Sequence, residues 1–225
     1  EQGFESPWDH LIGEFMLYLL PLLLTTQDLT IPFNVPAAST LSMNLDSLYN
    51  DAEPIARVQF DDQIPLHTEW GKKGSKRWDV VAGYAVDTEE TENRLVRIGF
   101  EIEHFVENNL SLDLGIHLLD VEQTGKDAMG LNASVQLRWH FIDEDSWSMF
   151  VEGGAGLVRM GANVPAGGST FNFTIQLGSG FSFDAGNNSR WLVGVRWFHI
   201  SNANMYTNNP TRDSVMLWTG LSFPY

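Results

Sequence analysis

The sequence contains no cysteine and few basic residues. Without cysteine, the chain has neither a disulfide framework nor a thiolate metal site, which suits a protein of an oxidising cell envelope. Lysine and arginine total 13 against 29 aspartate and glutamate residues, which gives a formal net charge of −16. This balance argues against a nucleic-acid partner, because phosphate binding requires a basic surface.

Long hydrophobic runs are also scarce. Residues 11–24, LIGEFMLYLLPLLL, form the one extended apolar run, and Glu14 and Pro21 interrupt it. A membrane-spanning helix needs roughly 20 apolar residues, and a signal peptide needs a basic start where this chain is acidic. We interpret the run as an amphipathic or buried helix, with a strand or a retained signal-like segment as alternatives. Because the chain opens with Glu1 and not Met, we expect a processed or trimmed product.

The composition changes along the chain and divides it in two. Residues 30–56 hold three prolines and many small polar residues, which is typical of an irregular linker. Residues 57–70 have the pattern of one additional strand. We therefore predict an N-terminal extension over residues 1–72 and a separate β-domain over residues 73–225.

The second part consists of strand-length segments that alternate polar and apolar residues and are separated by turn signals. The predicted strands are residues 77–87, 94–105, 110–120, 131–141, 147–160, 171–183, 191–201 and 213–225. Each segment is close to the 9–11 residues that a tilted strand needs to cross a bilayer.

The two faces of these segments differ in composition. In residues 131–141 one face is apolar (Leu131, Ala133, Val135, Leu137, Trp139 and Phe141) and the other is polar (Asn132, Ser134, Gln136, Arg138 and His140). The polar faces mix small residues with charges of both signs, which suits the interior of a narrow barrel. We expect the following side chains to pair there: Arg97, Arg138, Glu101, Glu103 and Asp113. We also expect interior networks that join His117 to Asp113 and His140 to Arg138.

The connections alternate in length. Short links are predicted at residues 106–109, 142–146 and 184–190, and longer ones at 161–170 and 202–212. Outer-membrane barrels have short periplasmic turns and longer outer loops, and the chain ends on an aromatic residue, as many of those proteins do. The predicted fold is all-β: an eight-stranded antiparallel transmembrane β-barrel with an N-terminal extension. A soluble β-barrel or sandwich is the alternative.

The stretch at residues 197–217 carries the residue types of a nucleophilic hydrolase without the usual Gly-x-Ser-x-Gly framing. His199 and Ser201 continue the outward apolar parity of the seventh segment, and Asp213 has the outward parity of the eighth. A hairpin centred near Tyr206 would place Asp213 opposite His199, where side chains lie about 5 Å apart at Cβ. A Ser-His-Asp triad is then feasible at the outer end of the barrel, facing lipid. The alternative is an interfacial His of the aromatic belt beside a turn-rich loop.

The motif FHISNA at residues 198–203, followed by an acidic residue fourteen positions after the His, resembles the PagL-type lipid A 3-O-deacylases. The resemblance covers about two-thirds of the chain. It implies His199 as the base, Ser201 as the nucleophile, Asp213 as the orienting acid and Asn202 in the oxyanion site. The sequence departs from the family at two points: Asp213 is shorter than the Glu found in a family member, and Asn204 stands where Gly is common.

The resulting hypothesis is an outer-membrane serine esterase that removes an ester-linked 3-hydroxyacyl chain from lipid A. It implies no cofactor and no metal site. The expected partners are lipid A or lipopolysaccharide as substrate, the surrounding outer-membrane lipids and no nucleic acid, with a homodimer left open. The alternative function is a non-catalytic structural or partner-binding outer-membrane barrel.

Overall fold

The computed structural model describes residues 69–225. Its strands are β1 (Lys76–Asp87), β2 (Arg94–Glu107), β3 (Leu110–Glu122), β4 (Ala128–Asp143), β5 (Trp147–Val164), β6 (Ser169–Gly186), β7 (Ser189–Ser201) and β8 (Arg212–Pro224). This part of the chain has no helix of the length and apolar character needed to cross a membrane. The predictions for residues 11–24 and 30–56, and for most of 57–70, lie outside the described residues.

The eight strands form one closed barrel in chain order. Every neighbouring pair is antiparallel, and β1 pairs with β8 over residues 77–87 and 214–224, so the described sheet has no free edge. The eight predicted strands and their antiparallel order are confirmed. The strands β5 and β6 are longer than expected, because residues 161–164 and 169–170 of the predicted loop belong to them and only residues 165–168 connect them. The register shifts beyond Arg159, and the two strands pair again at Val164 and Ser169.

The loops have different lengths at the two ends of the barrel. Residues 108–109, 144–146 and 187–188 make tight connections at the end that also holds the start of β1 and the end of β8. Residues 88–93, 123–127, 165–168 and 202–211 connect the strands at the opposite end. By the rule that periplasmic turns are short, the second end is the outer one. It is the end where β7 finishes and β8 begins.

The outer wall is apolar and the lumen is filled with side chains. Large apolar side chains are exposed along the wall, among them Ile98, Ile116, Leu118, Leu131 and Leu217. The alternate positions on the same strands point inward and include buried charges of both signs, such as Arg97, Glu101, Asp113 and Arg138. In a soluble protein the apolar side chains would face inward and the charged ones outward. Here the order is reversed, because successive residues of each strand face lipid and a narrow lumen in turn.

Arg138 lies at the centre of the buried charges. Its guanidinium is within 3.0 to 3.6 Å of four carboxylates, those of Asp113, Glu103, Glu101 and Asp79, and its Nε lies 3.2 Å from Glu152. The same guanidinium lies over the aromatic rings of Phe150 and Trp218, at 5.2 and 5.5 Å. The predicted pairing of the interior charges is confirmed, and Glu152, Asp79 and Arg196 extend it.

The two interior histidines have different partners from those expected. His117 bonds to Glu101 at 2.9 Å and to Arg97 at 2.7 Å, and not to Asp113. His140 bonds to Ser148 at 2.8 Å and packs edge-on against Trp70. Both residues point into the lumen as predicted. Their partners differ because each histidine bonds across its hairpin to the adjacent strand: Gly99 is the register partner of His117, and Arg97 and Glu101 lie two residues to either side of it. The spacing along one strand does not reveal this pairing.

The lumen is not polar throughout. Towards the outer end it is filled by buried apolar side chains, which include Leu95, Leu119, Val121, Val158, Met160, Phe198 and Ile200. At the opposite end Trp70 lies beneath the barrel, where the Arg190 guanidinium stacks on its ring at 4.1 Å. The barrel is therefore a packed core and not an open pore.

Candidate active site at the outer end of the barrel

The hairpin formed by β7 and β8 brings His199 and Asp213 together. The two residues are direct partners in the register, as the predicted hairpin requires, and His199 Nδ1 lies 2.9 Å from Asp213 Oδ1. A carboxylate can only accept, so Nδ1 donates this hydrogen bond. In the neutral imidazole the lone pair is then on Nε2, which is the arrangement of a base oriented by an acid.

Ser201 follows His199 on the same strand face, roughly 7 Å away at Cα. His199 Nε2 is buried and has no hydrogen-bond partner within residues 69–225. The hydrogen bond to Ser201 that the spacing allows is therefore not made in this structure. Of the two contacts that a triad needs, the structure makes the one between His199 and Asp213. Ser201 lies two residues from His199 on the same face but is not hydrogen-bonded to it.

The side chains of His199 and Ser201 are more enclosed than expected for residues that face lipid. His199 is 4% exposed and Ser201 is 1% exposed, although their parity is that of the outer wall. The Trp197 ring lies against the imidazole, with centroids 5.5 Å apart. The Asp213 side chain is 30% exposed and is the most open of the three. The site thus lies on the lipid side of the sheet but beneath neighbouring side chains, and not bare to lipid.

Strand β6 supplies an apolar wall beside these groups. Its register places Phe173 opposite Ser201 and Ile175 opposite His199, on the same outward face. The Phe171 ring meets the Phe173 ring edge-on at 5.7 Å. The carboxylate of Asp213, the imidazole of His199 and the hydroxyl of Ser201 therefore lie beside a surface on which hydrocarbon chains can lie.

Asn202 organises the loop that follows β7. Its backbone N–H donates to Asn209 Oδ1 at 2.9 Å, and its side-chain Nδ2 donates to the Asn208 carbonyl at 2.7 Å. Ala203 and Asn204 then adopt left-handed backbone conformations, with φ of 52° and 61°. Asn is among the few residues that tolerate this region, which explains how Asn204 replaces the glycine common in the resembling family.

Thr88 also contacts this site and was not among the predicted residues. It lies in the loop between β1 and β2, and both its backbone N–H and its hydroxyl donate to the Asp213 carbonyl, at 2.8 and 3.0 Å. Beside it, Arg212 faces Asp87 across the β8–β1 pair at 3.6 Å. These contacts depend on closure of the barrel, and no motif in the sequence indicates them.

Comparisons with known proteins agree with this architecture. The family model described as lipid A 3-O-deacylase (PagL) matches residues 56–222. No curated protein matches the chain. Among solved structures, the outer membrane enzyme PagL is 23% identical with a TM-score of 0.56, covering 63% of this chain and 97% of its own.

Two further solved structures are less similar. Neisserial surface protein A is 14% identical with a TM-score of 0.48, over 67% of this chain and 96% of its own. OprG from Pseudomonas aeruginosa is 12% identical with a TM-score of 0.45, over 70% and 99%. The family model spans most of the chain and almost the whole barrel. The chain therefore belongs to the PagL family of lipid A 3-O-deacylases, as an eight-stranded β-barrel of the bacterial outer membrane.

Proposed function

We propose that this protein removes an ester-linked 3-hydroxyacyl chain from lipid A by a Ser-His-Asp mechanism, with Ser201, His199 and Asp213 as the triad. The observation that carries the proposal is the 2.9 Å hydrogen bond between His199 and Asp213 on the outer wall, with a buried Nε2 two residues from a serine of the same face. An outward-facing triad suits a substrate that is itself a membrane lipid.

The reaction begins when Ser201 Oγ attacks the ester carbonyl and His199 Nε2 takes the hydroxyl proton. Asp213 holds the imidazole in the required tautomer and stabilises the imidazolium. The tetrahedral intermediate collapses as Nε2 returns the proton to the departing sugar oxygen, which leaves an acyl-enzyme. Water then attacks this ester with His199 as the base, and the products are a 3-hydroxy fatty acid and a lipid A with one free hydroxyl.

The Ser201–His199 hydrogen bond forms as the substrate enters. Catalytic hydrogen bonds are often long in enzymes without substrate and shorten in the complex. Asn202 is assigned to the oxyanion: its Nδ2 has two N–H groups, and the loop uses one of them on the Asn208 carbonyl. The second N–H is the donor that we assign to the developing negative charge.

The depth of the site agrees with this substrate. His199, Ser201 and Asp213 lie at the outer ends of β7 and β8, and lipid A occupies the outer leaflet of the outer membrane. The ester bonds of a lipid lie at the boundary between headgroup and hydrocarbon. An apolar wall formed by Phe173 and Ile175 extends from the serine into the hydrocarbon region, where the acyl chain lies.

The test is Ser201→Ala in the full-length protein, with lipid A examined by mass spectrometry. We expect release of the 3-hydroxy fatty acid to fall at least roughly a thousandfold, since the nucleophile is lost. Ser179→Ala is the matched control, because Ser179 is an exposed serine of the outer wall on β6, opposite Val195. It should retain wild-type activity and show the same folded band in gel electrophoresis.

A fluorophosphonate probe separates this proposal from the structural-barrel alternative. The wild type should be labelled at Ser201, and His199→Asn should abolish labelling without unfolding the barrel. Unaltered lipid A deacylation by Ser201→Ala would exclude the proposed mechanism. A wild-type protein that is labelled by the probe but does not deacylate lipid A would exclude the proposed substrate.

A further inference from the structure

Basic side chains are unevenly distributed over the described residues. The buried ones face the lumen: Arg77, Arg97, Arg138, Arg190, Arg196 and Arg212. Three exposed lysines, Lys72, Lys73 and Lys76, lie at or next to the start of β1, at the periplasmic end. At the outer end the exposed basic residues are Arg94, Lys126 and Arg159.

Arg159 differs from the other two in its neighbours. Its partners across the sheet are Leu131 on β4 and Phe171 on β6, and neither carries a charge. Arg94, in contrast, lies opposite Glu122 on β3, and Lys126 precedes Asp127 in a loop. Within residues 69–225, Arg159 makes no ion pair or side-chain hydrogen bond.

The register places Arg159 close to the candidate nucleophile. Leu157 pairs with Phe173, and Phe173 pairs with Ser201, so these three residues form one row on the outer wall. Arg159 lies two residues further towards the outer end on β5. Two strand spacings and two residues amount to about 10 Å across the sheet and about 7 Å along it. Arg159 therefore lies about 12 Å from the serine at Cα, two strands to the side and nearer the outer end of the barrel.

A lone arginine on a lipid-facing wall has an energetic cost. An outward arginine destabilises a barrel by about 2–4 kcal/mol at the bilayer midplane and by about 0–1 kcal/mol near the interface. Arg159 lies towards the outer end of β5, near the interface where headgroup phosphates lie, so its cost is at the low end of this range. The planar guanidinium can bind a phosphate through two parallel hydrogen bonds. In a chain of net charge −16, an arginine without a charged partner among residues 69–225 offers a phosphate a local cationic contact near the site.

We propose that Arg159 binds a phosphate group of the lipid A headgroup while the ester bond lies at Ser201. The inference rests on the proposed deacylase function and adds to it a substrate-binding residue that selects phosphorylated lipid A. The acyl chain lies along the apolar wall of β6, the sugar lies above it, and the phosphate extends sideways over β6 towards β5.

The experiment compares two substrates that have identical acyl chains: phosphorylated lipid A and the same lipid A after dephosphorylation. Both are dispersed in nonionic detergent with the full-length protein, so that no other lipid supplies a phosphate. We expect Arg159→Gln to lower kcat/KM about fivefold on the phosphorylated substrate, the size of an exposed charge interaction, and to leave the dephosphorylated one unchanged. Arg159→Lys should recover most of the loss.

Arg94→Gln is the matched control, because it removes an exposed arginine at the same end of the barrel on β2 and should affect neither substrate. Equal effects of Arg159→Gln on both substrates, with an active wild type, would exclude phosphate binding and leave the deacylase function standing. Failure of the wild type to release a chain from either substrate would overturn the proposed function and this inference together.

Discussion

At the scale of single residues, the proposed mechanism depends most on the contact between His199 and Asp213. Directly opposed side chains in an antiparallel pair lie about 5 Å apart at Cβ. An aspartate therefore reaches the imidazole from this position, and the observed distance is 2.9 Å. The shorter acid does not weaken the candidate triad, because the register and not the side-chain length brings the two groups together.

Replacement of Asp213 by Asn tests the orienting role. The amide keeps the shape but can donate to His199 Nδ1, which favours the tautomer with its proton on Nε2 and so removes the base. We expect kcat to fall by about 10²- to 10⁴-fold with little change in KM, measured by release of 3-hydroxy fatty acid.

The control for this variant is Asp120→Asn, which neutralises an exposed aspartate of the outer half of β3. It should have wild-type kinetics. A kcat for Asp213→Asn within about threefold of the wild type would exclude Asp213 from the orienting role.

At the scale of elements, the loop of residues 202–211 determines how the end of β7 is held. Asn202 is bonded to both Asn208 and Asn209, so the residue next to the candidate nucleophile is fixed by the far side of the same loop. The left-handed backbone at Ala203 and Asn204 turns the chain immediately after this residue. The loop therefore connects the two strands and also orients Asn202 beside Ser201.

The left-handed backbone conformation of Asn204 leads to a further prediction. A β-branched side chain is disfavoured at φ of 61°, so Asn204→Val should lower the free energy of unfolding by about 1–2 kcal/mol and reduce deacylation. Asn204→Gly should preserve both, since glycine adopts this conformation freely. Urea unfolding in lipid vesicles measures the first quantity. Identical stability of the Val and Gly variants would contradict the conformational argument.

At the scale of the whole molecule, the barrel is held by a lumen that combines an apolar outer part with a charged centre. Arg138 contacts carboxylates from four other strands, since Asp79 is on β1, Glu101 and Glu103 on β2, Asp113 on β3 and Glu152 on β5. Buried ion pairs add little net stability when intact, but loss of one partner leaves uncompensated charge. Among the described residues, Asp79 and Asp113 have Arg138 as their ion-pair partner, whereas Glu101, Glu103 and Glu152 also face other basic side chains. Loss of Arg138 would therefore leave buried carboxylates uncompensated.

Replacement of Arg138 by Leu should cost about 3–5 kcal/mol of unfolding free energy, measured by urea unfolding in lipid vesicles. Arg159→Gln is the comparison, because it removes an arginine from the outer wall, where no described partner is lost, and its stability should stay within about 0.5 kcal/mol of the wild type. A stability of Arg138→Leu equal to that of the wild type would show that the carboxylates are compensated by other groups.

Most of the fold was predictable from the sequence, because a strand has a local period. The alternation in residues such as Leu131, Asn132 and Ala133 assigns each side chain to the wall or the lumen without knowledge of its partners. The ends of β5 and β6 were not predictable, since residues 161–170 carry Gly and Pro turn signals and their pairing depends on the neighbouring strand.

The candidate site also has features that the sequence predicted and features that it did not. The sequence by itself determined the shared face of His199, Ser201 and Asp213 and the pairing of the first and last of these, because both follow from strand parity and one short hairpin. Only the tertiary structure decided that Ser201 is buried, that His117 bonds to Glu101, and that Thr88 binds the Asp213 backbone. The burial of Ser201 and the partner of His117 depend on how side chains pack across neighbouring strands, which parity along one strand does not determine. The contact of Thr88 joins residues that are distant along the chain, and closure of the barrel between β1 and β8 brings Thr88 to the site.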